Sequence, residues 1–414
     1  MNEYNLEVVQ EKYARLICEV GLNLQPGQKL FIWAAQLEMA PIVRQVMKIA
    51  YQMGSKLVSV LYHDEVATQT RLEHAPRDSF DEYASWKTDA RLKAMNDGDA
   101  VLWIGGPDPD LLQGYDPALI EKAARAYGRY VKPIRDLISK NATQWLLVCP
   151  PAASWAVRVF PEDSPELAER KLWEAVIKAC RLDQPDPCAF WKSYLDQLEV
   201  RSTQLTRRQY QTLKFTAPGT DLELGLPPGH VWIGGWDYTA GGIKFCGNLP
   251  TEEIFTMPHR EQVNGTVRAT RPLSYHGGLI EEFELEFKEG RVENFSARMG
   301  EEILRSMLET DDNARFLGEV ALVPHNSPIS GLGLVFLNTL YDENASNHLA
   351  LGNAYRVNLE GGPEMEEDTF AVVGGNTSLI HEDFMFGSEE MDVDGLLPDG
   401  TLEPLMRNGE WVWD

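Results

Sequence analysis

KLFIWAA (29–35), EMAPIVRQVMKIAYQMG (38–54) and KLVSVLYHD (56–64) follow one another with little between them, and their alternation decides the fold. The first and third are short, nearly continuous apolar runs, as expected of strands buried on both faces. The second repeats its apolar residues at helical spacing and stops at Gly54, a residue type that terminates helices. AVLWIGG (100–106) and QWLLVCP (144–150) continue the series, separated by polar helical stretches. Apolar strands alternating with helices imply a parallel sheet covered on both sides. GGPDPDLLQG, after the third strand, lacks the GxGxxG spacing, and no GxxxxGK[ST] occurs, so no nucleotide site is expected there.

Further along, the stretch from Glu162 to Leu205 reads as helical, interrupted by DQPDPC (183–188). The texture then changes. GTDLELGLPPG, HVWIGGW, GGIKFCG, GTVRATRPLSYHGG and LIEEFELEFKEGRVENFSARM are alternating runs joined by Gly-rich turns, with Lys288-Glu-Gly-Arg291 reading as a hairpin turn. A helix over Glu301–Leu308 and a mixed acidic segment follow. The expectation is an α/β plus α+β chain: an N-terminal parallel-sheet α/β domain over 1–195, and a C-terminal domain rich in antiparallel β structure over 196–414. With 414 residues and roughly 150 per domain, two or three domains are expected.

Composition bounds the function. Hydrophobic residues make up 43% and charged residues 24%, the values of an ordinary globular protein. A chain of this size buries on the order of 75% of its surface, so a metal would serve chemistry rather than folding. Five scattered cysteines without a CxxC pair argue for thiols in a reducing compartment. MNEYNLEVVQEKYARL carries acids early and has no apolar core, unlike a signal peptide, and no stretch approaches the ~20 apolar residues of a membrane helix. A cytoplasmic protein without membrane contact is expected. The net charge of −25 disfavours nucleic acid, which needs clustered Lys and Arg. Between Arg356 and Arg407 there is no Lys or Arg, yet acids recur throughout. Carboxylates without cationic neighbours attract metal ions or a substrate's ammonium group.

Several residues have the chemistry for metal. In His381-Glu382-Asp383, an extended backbone puts His381 and Asp383 on one face. The turn-rich GGNTS before it would place the pair at an element's edge. In Asp342-Glu343-Asn344-Ala-Ser-Asn-His348, Asn344 or Ser346 is read as capping a helix that carries His348. On an uninterrupted helix Tyr355, seven residues on, would share the face of His348, unless Gly352 ends the helix first. Glu319 in FLGEVALVP is a lone acid in a strand-like apolar run, and a buried carboxylate is costly unless paired or bound to metal. An outward-facing strand position would equally explain it. PTEEIF offers Glu252 and Glu253, and pattern does not choose between them. Six candidate ligands of mixed O/N type exceed the three protein ligands of a one-zinc catalytic site, so two ions fit better. No HExxH, no GxSxG elbow and no Cys–His pairing occurs, which disfavours one-zinc and covalent hydrolases. A two-metal phosphoesterase would need a phosphate-holding cation that 357–406 lacks, and a calcium scaffold would use oxygen ligands only.

Together, NLPTEEIFTMPHR (248–260), LGEVALVPHNSPIS (317–330), NTLYDENASNHLALGNAY (338–355) and GGNTSLIHEDFMFG (374–387) resemble the thermophilic-type metallo-aminopeptidase family typified by aminopeptidases T and S. GLNLQPGQKL (21–30) extends the resemblance over essentially the whole chain. It implies hydrolysis of N-terminal residues from peptides through hydroxide bound to two divalent ions (Zn, Co, Mn or Mg). Carried over residue by residue, the ligands are Glu253, Glu319, His348, His381 and Asp383, with Glu343 or its neighbour Asp342 as a further ligand. Glu319 or Asp383 would bridge the ions. Tyr355 would donate a hydrogen bond near the reacting carbonyl. Apart from the resemblance, a carboxylate near the site, such as Glu252, is expected to shuttle a proton to the leaving amine. The resemblance also implies a homodimer acting on peptide substrates.

Overall fold

The computed structural model describes residues 4–34, 36–106, 108, 111–275 and 278–412. Ala35, Pro107, Pro109, Asp110, His276 and Gly277 of the stretches quoted above lie outside this set, as do the first three residues and the last two. The chain forms two compact units, Met1–Ser193 with Trp236–Pro250, and Tyr194–Gly235 with Thr251–Asp414.

The first unit is the parallel sheet expected from the apolar runs. Strands β1 (Leu30–Ala34), β2 (Val58–Tyr62), β3 (Ala100–Ile104) and β4 (Trp145–Val148) are all parallel, in the order β2-β1-β3-β4. A two-residue strand, Asn248–Leu249, pairs in parallel with the outer edge of β4 and extends the sheet. Five helices belong to the α/β pattern: α1 (Leu6–Leu16), α2 (Ala40–Gln52), α3 (Glu65–His74), α4 (Trp86–Asn96) and α5 (Pro117–Ile138). The spacing of EMAPIVRQVMKIAYQMG is realised in α2: Pro41 occupies its first turn, Ile42, Val43, Val46, Ile49 and Ala50 are buried, and Gly54 closes it at φ +90°. Under α4 and α5, Phe31 and Val101 pack with Ala94, Met95, Val131 and Ile134. The predicted interruption at DQPDPC separates helices Pro165–Ala179 and Pro187–Arg208.

Antiparallel structure makes up the second unit. Thr212–Ala217, Thr220–Gly225, Val263–Arg268, Gly278–Lys288, Arg291–Met299, Asp392–Leu396 and Leu402–Arg407 are the longer strands of a nine-stranded sheet, with Lys288 paired to Arg291 across the expected hairpin turn. The helix over Glu301–Leu308 also forms as read. A four-stranded antiparallel sheet carries the site: β5 (Ile254–Thr256), β6 (Leu317–Leu322), β7 (His348–Gly352) and β8 (His381–Met385), in that order. All five cysteines are buried as thiols. No helix among the described residues is long and apolar enough to cross a membrane.

The helix expected to carry His348 does not form. Residues 339–345 make one α-turn and one 3-10 turn, and His348 then opens β7, whose five residues are all buried. The reason is lateral pairing: Leu349, Ala350 and Leu351 are held between β6 and β8, and Gly352, at φ +103°, leaves the strand so close to Ile380 that a side chain would collide with its carbonyl. The expected caps do other work. Asn344 Oδ1 accepts the Glu252 amide at 2.6 Å, and Ser346 Oγ donates to the Gly387 carbonyl at 3.1 Å.

Candidate metal centre

One face of the four-stranded sheet assembles the acids and imidazoles. In an extended strand, residues two apart share a face, so His381 and Asp383 on β8 point the same way, with His381 Nε2 3.7 Å from Asp383 Oδ1. Register brings the neighbouring strands' residues to that face. Ala350 of β7 is paired with Asp383 on one side and with Glu319 of β6 on the other. Only a methyl group therefore stands between the two carboxylates. Glu319 owes its register to a bulge at Gly318, where a Cβ would lie 2.3 Å from the Asn353 carbonyl oxygen. Glu319 is not an outward-facing residue of β6: it is 5% exposed.

Glu253, just before β5, and His348, at the start of β7, complete the arrangement. His348 Nε2 lies 3.0 Å from Glu253 Oε2 and 3.5 Å from Glu319 Oε1, while His381 Nε2 lies 3.6 Å from Glu319 Oε2. Two sets of three donors result, Glu253–Glu319–His348 and Glu319–His381–Asp383, each with its ligand atoms within 4.8 Å of one another. Glu319 belongs to both. The PTEEIF acids diverge: Glu252 accepts a hydrogen bond from the Tyr194 hydroxyl, and Glu253 faces the imidazole.

Both imidazoles are oriented from behind. His348 Nδ1 sits 3.1 Å from the Ser346 carbonyl, and His381 Nδ1 sits 2.7 Å from the Asn353 carbonyl. A carbonyl only accepts, so Nδ1 carries a proton, and Nε2 is the ring nitrogen left to face the carboxylates and any metal ion they hold. His348 Nε2 and Asp383 Oδ1 are buried there without a hydrogen bond of good geometry. Burial pushes the Glu319 carboxyl up to about 7, reinforced by Asp383 and Glu253 and opposed by the two imidazoles. Glu343 is also raised, by burial and then by Glu253 and Asp383. Burial would depress His348, but Glu253 and Glu319 raise it above the ordinary range. So many acids sharing one buried site are stable together only with compensating positive charge, and this donor set fits divalent metal.

Glu343 and Asp342 are both buried, but only one carboxylate is uncommitted to backbone capping. Asp342 accepts the amides of Phe336 at 2.8 Å and Asn338 at 3.1 Å. Glu343 is 8% exposed and senses Glu253, Asp383, His348 and Glu319. Tyr355 reaches the cluster from the turn after β7 rather than along a helix face. Its ring lies 4.7 Å from that of His381 and 6.2 Å from Phe255. Burial and the four carboxylates hold its phenol protonated, well above the ordinary range. The backbone carbonyls of Ser346 and Asn353 and the hydroxyl of Tyr194 were not singled out by sequence, and Asn344 was read only as a helix cap. Their contributions depend on main-chain geometry or on distant pairing, and neither leaves a local pattern.

Over residues 7–411 the chain matches the family described as "Thermophilic metalloprotease (M29)". The chain belongs to this family. Among curated relatives of the thermophilic metalloprotease family, "Aminopeptidase T" of Thermus thermophilus is 46% identical over 97% of this chain and 98% of its own length. "Aminopeptidase 2" of Geobacillus stearothermophilus is 44% identical over the full length of both. Among solved structures, "Wild-type AmpT from Thermus thermophilus" superposes with a TM-score of 0.93 at 44% identity, covering 99% of this chain and all of that one. The fold class read from the sequence, and the family it resembles, are both borne out.

Proposed function

We propose that this metalloprotease is an aminopeptidase that holds two divalent ions on the face formed by β6, β7 and β8. The observation that carries the reading is the pair of donor sets sharing Glu319. Glu253, Glu319 and His348 would hold one ion, and Glu319, His381 and Asp383 the other, with Glu319 common to both sets. Glu343 would be a further ligand, since the Asp342 carboxylate is occupied by the 336–338 backbone. Glu253, Glu319, Glu343 and Asp383 then supply four negative charges, which balance two doubly charged ions. Such a pair, when bound, polarises water so that it loses a proton near neutral pH and attacks the peptide carbonyl.

The chain's own residues do the remaining work. The Tyr355 phenol, kept protonated by burial and surrounding acids, donates a hydrogen bond to the carbonyl oxygen as negative charge builds there. His381 and Phe255 fix the plane of its ring. Glu252 anchors the loop that presents Glu253, through Tyr194 and Asn344. The substrate end cleaved is the one that carries a free amine. Relatives named aminopeptidase support this specificity. We further propose a cytoplasmic homodimer.

The test is metal content by mass spectrometry together with hydrolysis of a short peptide before and after chelation. About two ions per chain, activity lost on chelation and recovered on adding metal back are expected. A verified metal-free protein that still cleaves peptides would overturn the mechanism. Cleavage of an N-acetylated peptide at the same rate as the free-amine peptide would overturn the exopeptidase reading.

A further inference from the structure

In the first unit the chain runs from β1 to β2 on one side and then returns to β3 on the other, so its connections diverge between β1 and β3. In open parallel sheets such a divergence leaves a crevice at the carboxyl ends of the two strands, and ligands occupy it. This chain places an unusual group of side chains there. Trp33 and Trp103 are the fourth residues of their five-residue strands and are paired in register. Arg91, on α4, lies over both indoles, with Cζ 5.9 Å from the centre of Trp33 and 5.5 Å from that of Trp103. It is 4% exposed, its Nε has no hydrogen-bond partner, and no carboxylate among the described residues pairs with it.

Neighbouring residues make this cation harder to explain as structure alone. Lys87, one turn earlier on α4, is half-buried and also lacks an ion pair among the described residues. Burial and the Lys87 charge hold His63, directly after β2, below its ordinary range. The acid beside it, Asp64, is committed to capping α3, where it accepts the Val66 amide at 3.0 Å. In a chain of net charge −25, two cations at the end of a sheet without acid partners among the described residues stand out. Stacking on indoles compensates a guanidinium only partly, because ring faces do not satisfy its N–H groups, and Nε here is buried without an acceptor. A carboxylate or phosphate satisfies those groups in the fork geometry that arginine prefers.

We propose that the crevice between β1 and β3 binds a small organic anion, with Arg91 and Lys87 taking its carboxylate or phosphate group and Trp33 and Trp103 flanking a flat ring attached to it. Trp103, 41% exposed, provides the ring surface at the mouth. All four residues belong to the first unit, whereas the metal-binding residues belong to the second.

The test titrates the full-length, metal-loaded protein with benzoate, phenyl phosphate and benzyl alcohol at constant ionic strength, following calorimetry and tryptophan emission. One of the two anions is expected to bind saturably and the neutral alcohol not to bind. Preference between benzoate and phenyl phosphate identifies the anionic group. Because oxyanions also seek metals, Glu319→Gln is titrated alongside, and binding should persist in it. Arg91→Met should weaken binding about tenfold or more, the loss of one charge-assisted contact. If Arg91→Met fails to fold, Lys87→Met and Trp103→Ala carry the same test, since neither position is fully buried. Absence of saturable binding to both anions, loss of binding in Glu319→Gln alone, or unchanged affinity in the crevice variants would overturn the proposal.

Discussion

Replacing Glu319 by Gln takes a ligand atom from both donor sets at once, whereas Asp383→Asn touches one. Glu319→Gln is therefore expected to leave well under one ion per chain, and Asp383→Asn to keep the ion held through Glu253 and His348; metal analysis after gel filtration distinguishes them. Tyr355 predicts the opposite pattern. Its phenol lies beside His381 without being one of the acids or imidazoles, so Tyr355→Phe should retain its full metal content. Its kcat should fall by about a hundredfold or more, the usual cost of removing one donor to a developing oxyanion. Loss of metal in Tyr355→Phe would show that the ring supports the ligands rather than the reaction. Glu319 and Tyr355 also differ in how legible they were. A single acid in an apolar run, FLGEVALVP, drew attention to Glu319 because an uncompensated buried carboxylate is costly, although an outward-facing position explained it equally until the structure showed it buried. Nothing local marks Tyr355, since it reaches His381 through a turn whose direction depends on the pairing of β7 with β8.

At the level of elements, the site depends on what β7 does not contribute. Ala350 is fully buried between Glu319 and Asp383, and its small size leaves the space that ions would occupy. Ala350→Leu keeps every ligand but should expel metal and activity together while the chain still folds, with a destabilisation of about 1–3 kcal/mol from overpacking. Equilibrium metal titration and urea denaturation check the two halves of that statement, and a fully active, metal-loaded Ala350→Leu would refute it. The same strand shows where sequence reading failed. DENASNHLAL contains good capping residues, and Tyr355 follows His348 at a helical spacing, yet helical turns stop at Ala345 and the chain is a strand from His348 because β6 and β8 flank it. Pairing partners more than twenty-five residues away override local preference, and one sequence carries no record of them. In β8 the reading succeeded, because an H-x-D pair on an extended backbone requires only the two-residue periodicity of a strand.

For the whole molecule, metal is expected to add stability although folding does not depend on it. The buried acids repel one another without compensation, and a ligand that binds only the folded state contributes about 2.7 kcal/mol at a hundredfold excess over its Kd. Chelated protein should accordingly melt several degrees lower than loaded protein in calorimetry, with recovery on adding metal; identical midpoints would place the ions outside the folded structure's energetics. The alternation of strands and helices made the parallel sheet plain from the start, but the return of residues 236–250 to the first unit left no trace in composition. That return has a practical side. The Asn248–Leu249 strand covers the outer edge of β4, and Leu147 donates its amide to the Gly247 carbonyl at 2.8 Å. A polypeptide ending near residue 195 would leave that edge bare, and bare edges recruit other chains. Scission at any one peptide bond between 194 and 235 leaves residues 236–250 on the fragment that carries the metal centre. A protease nick there is expected to yield two pieces that co-purify until denatured.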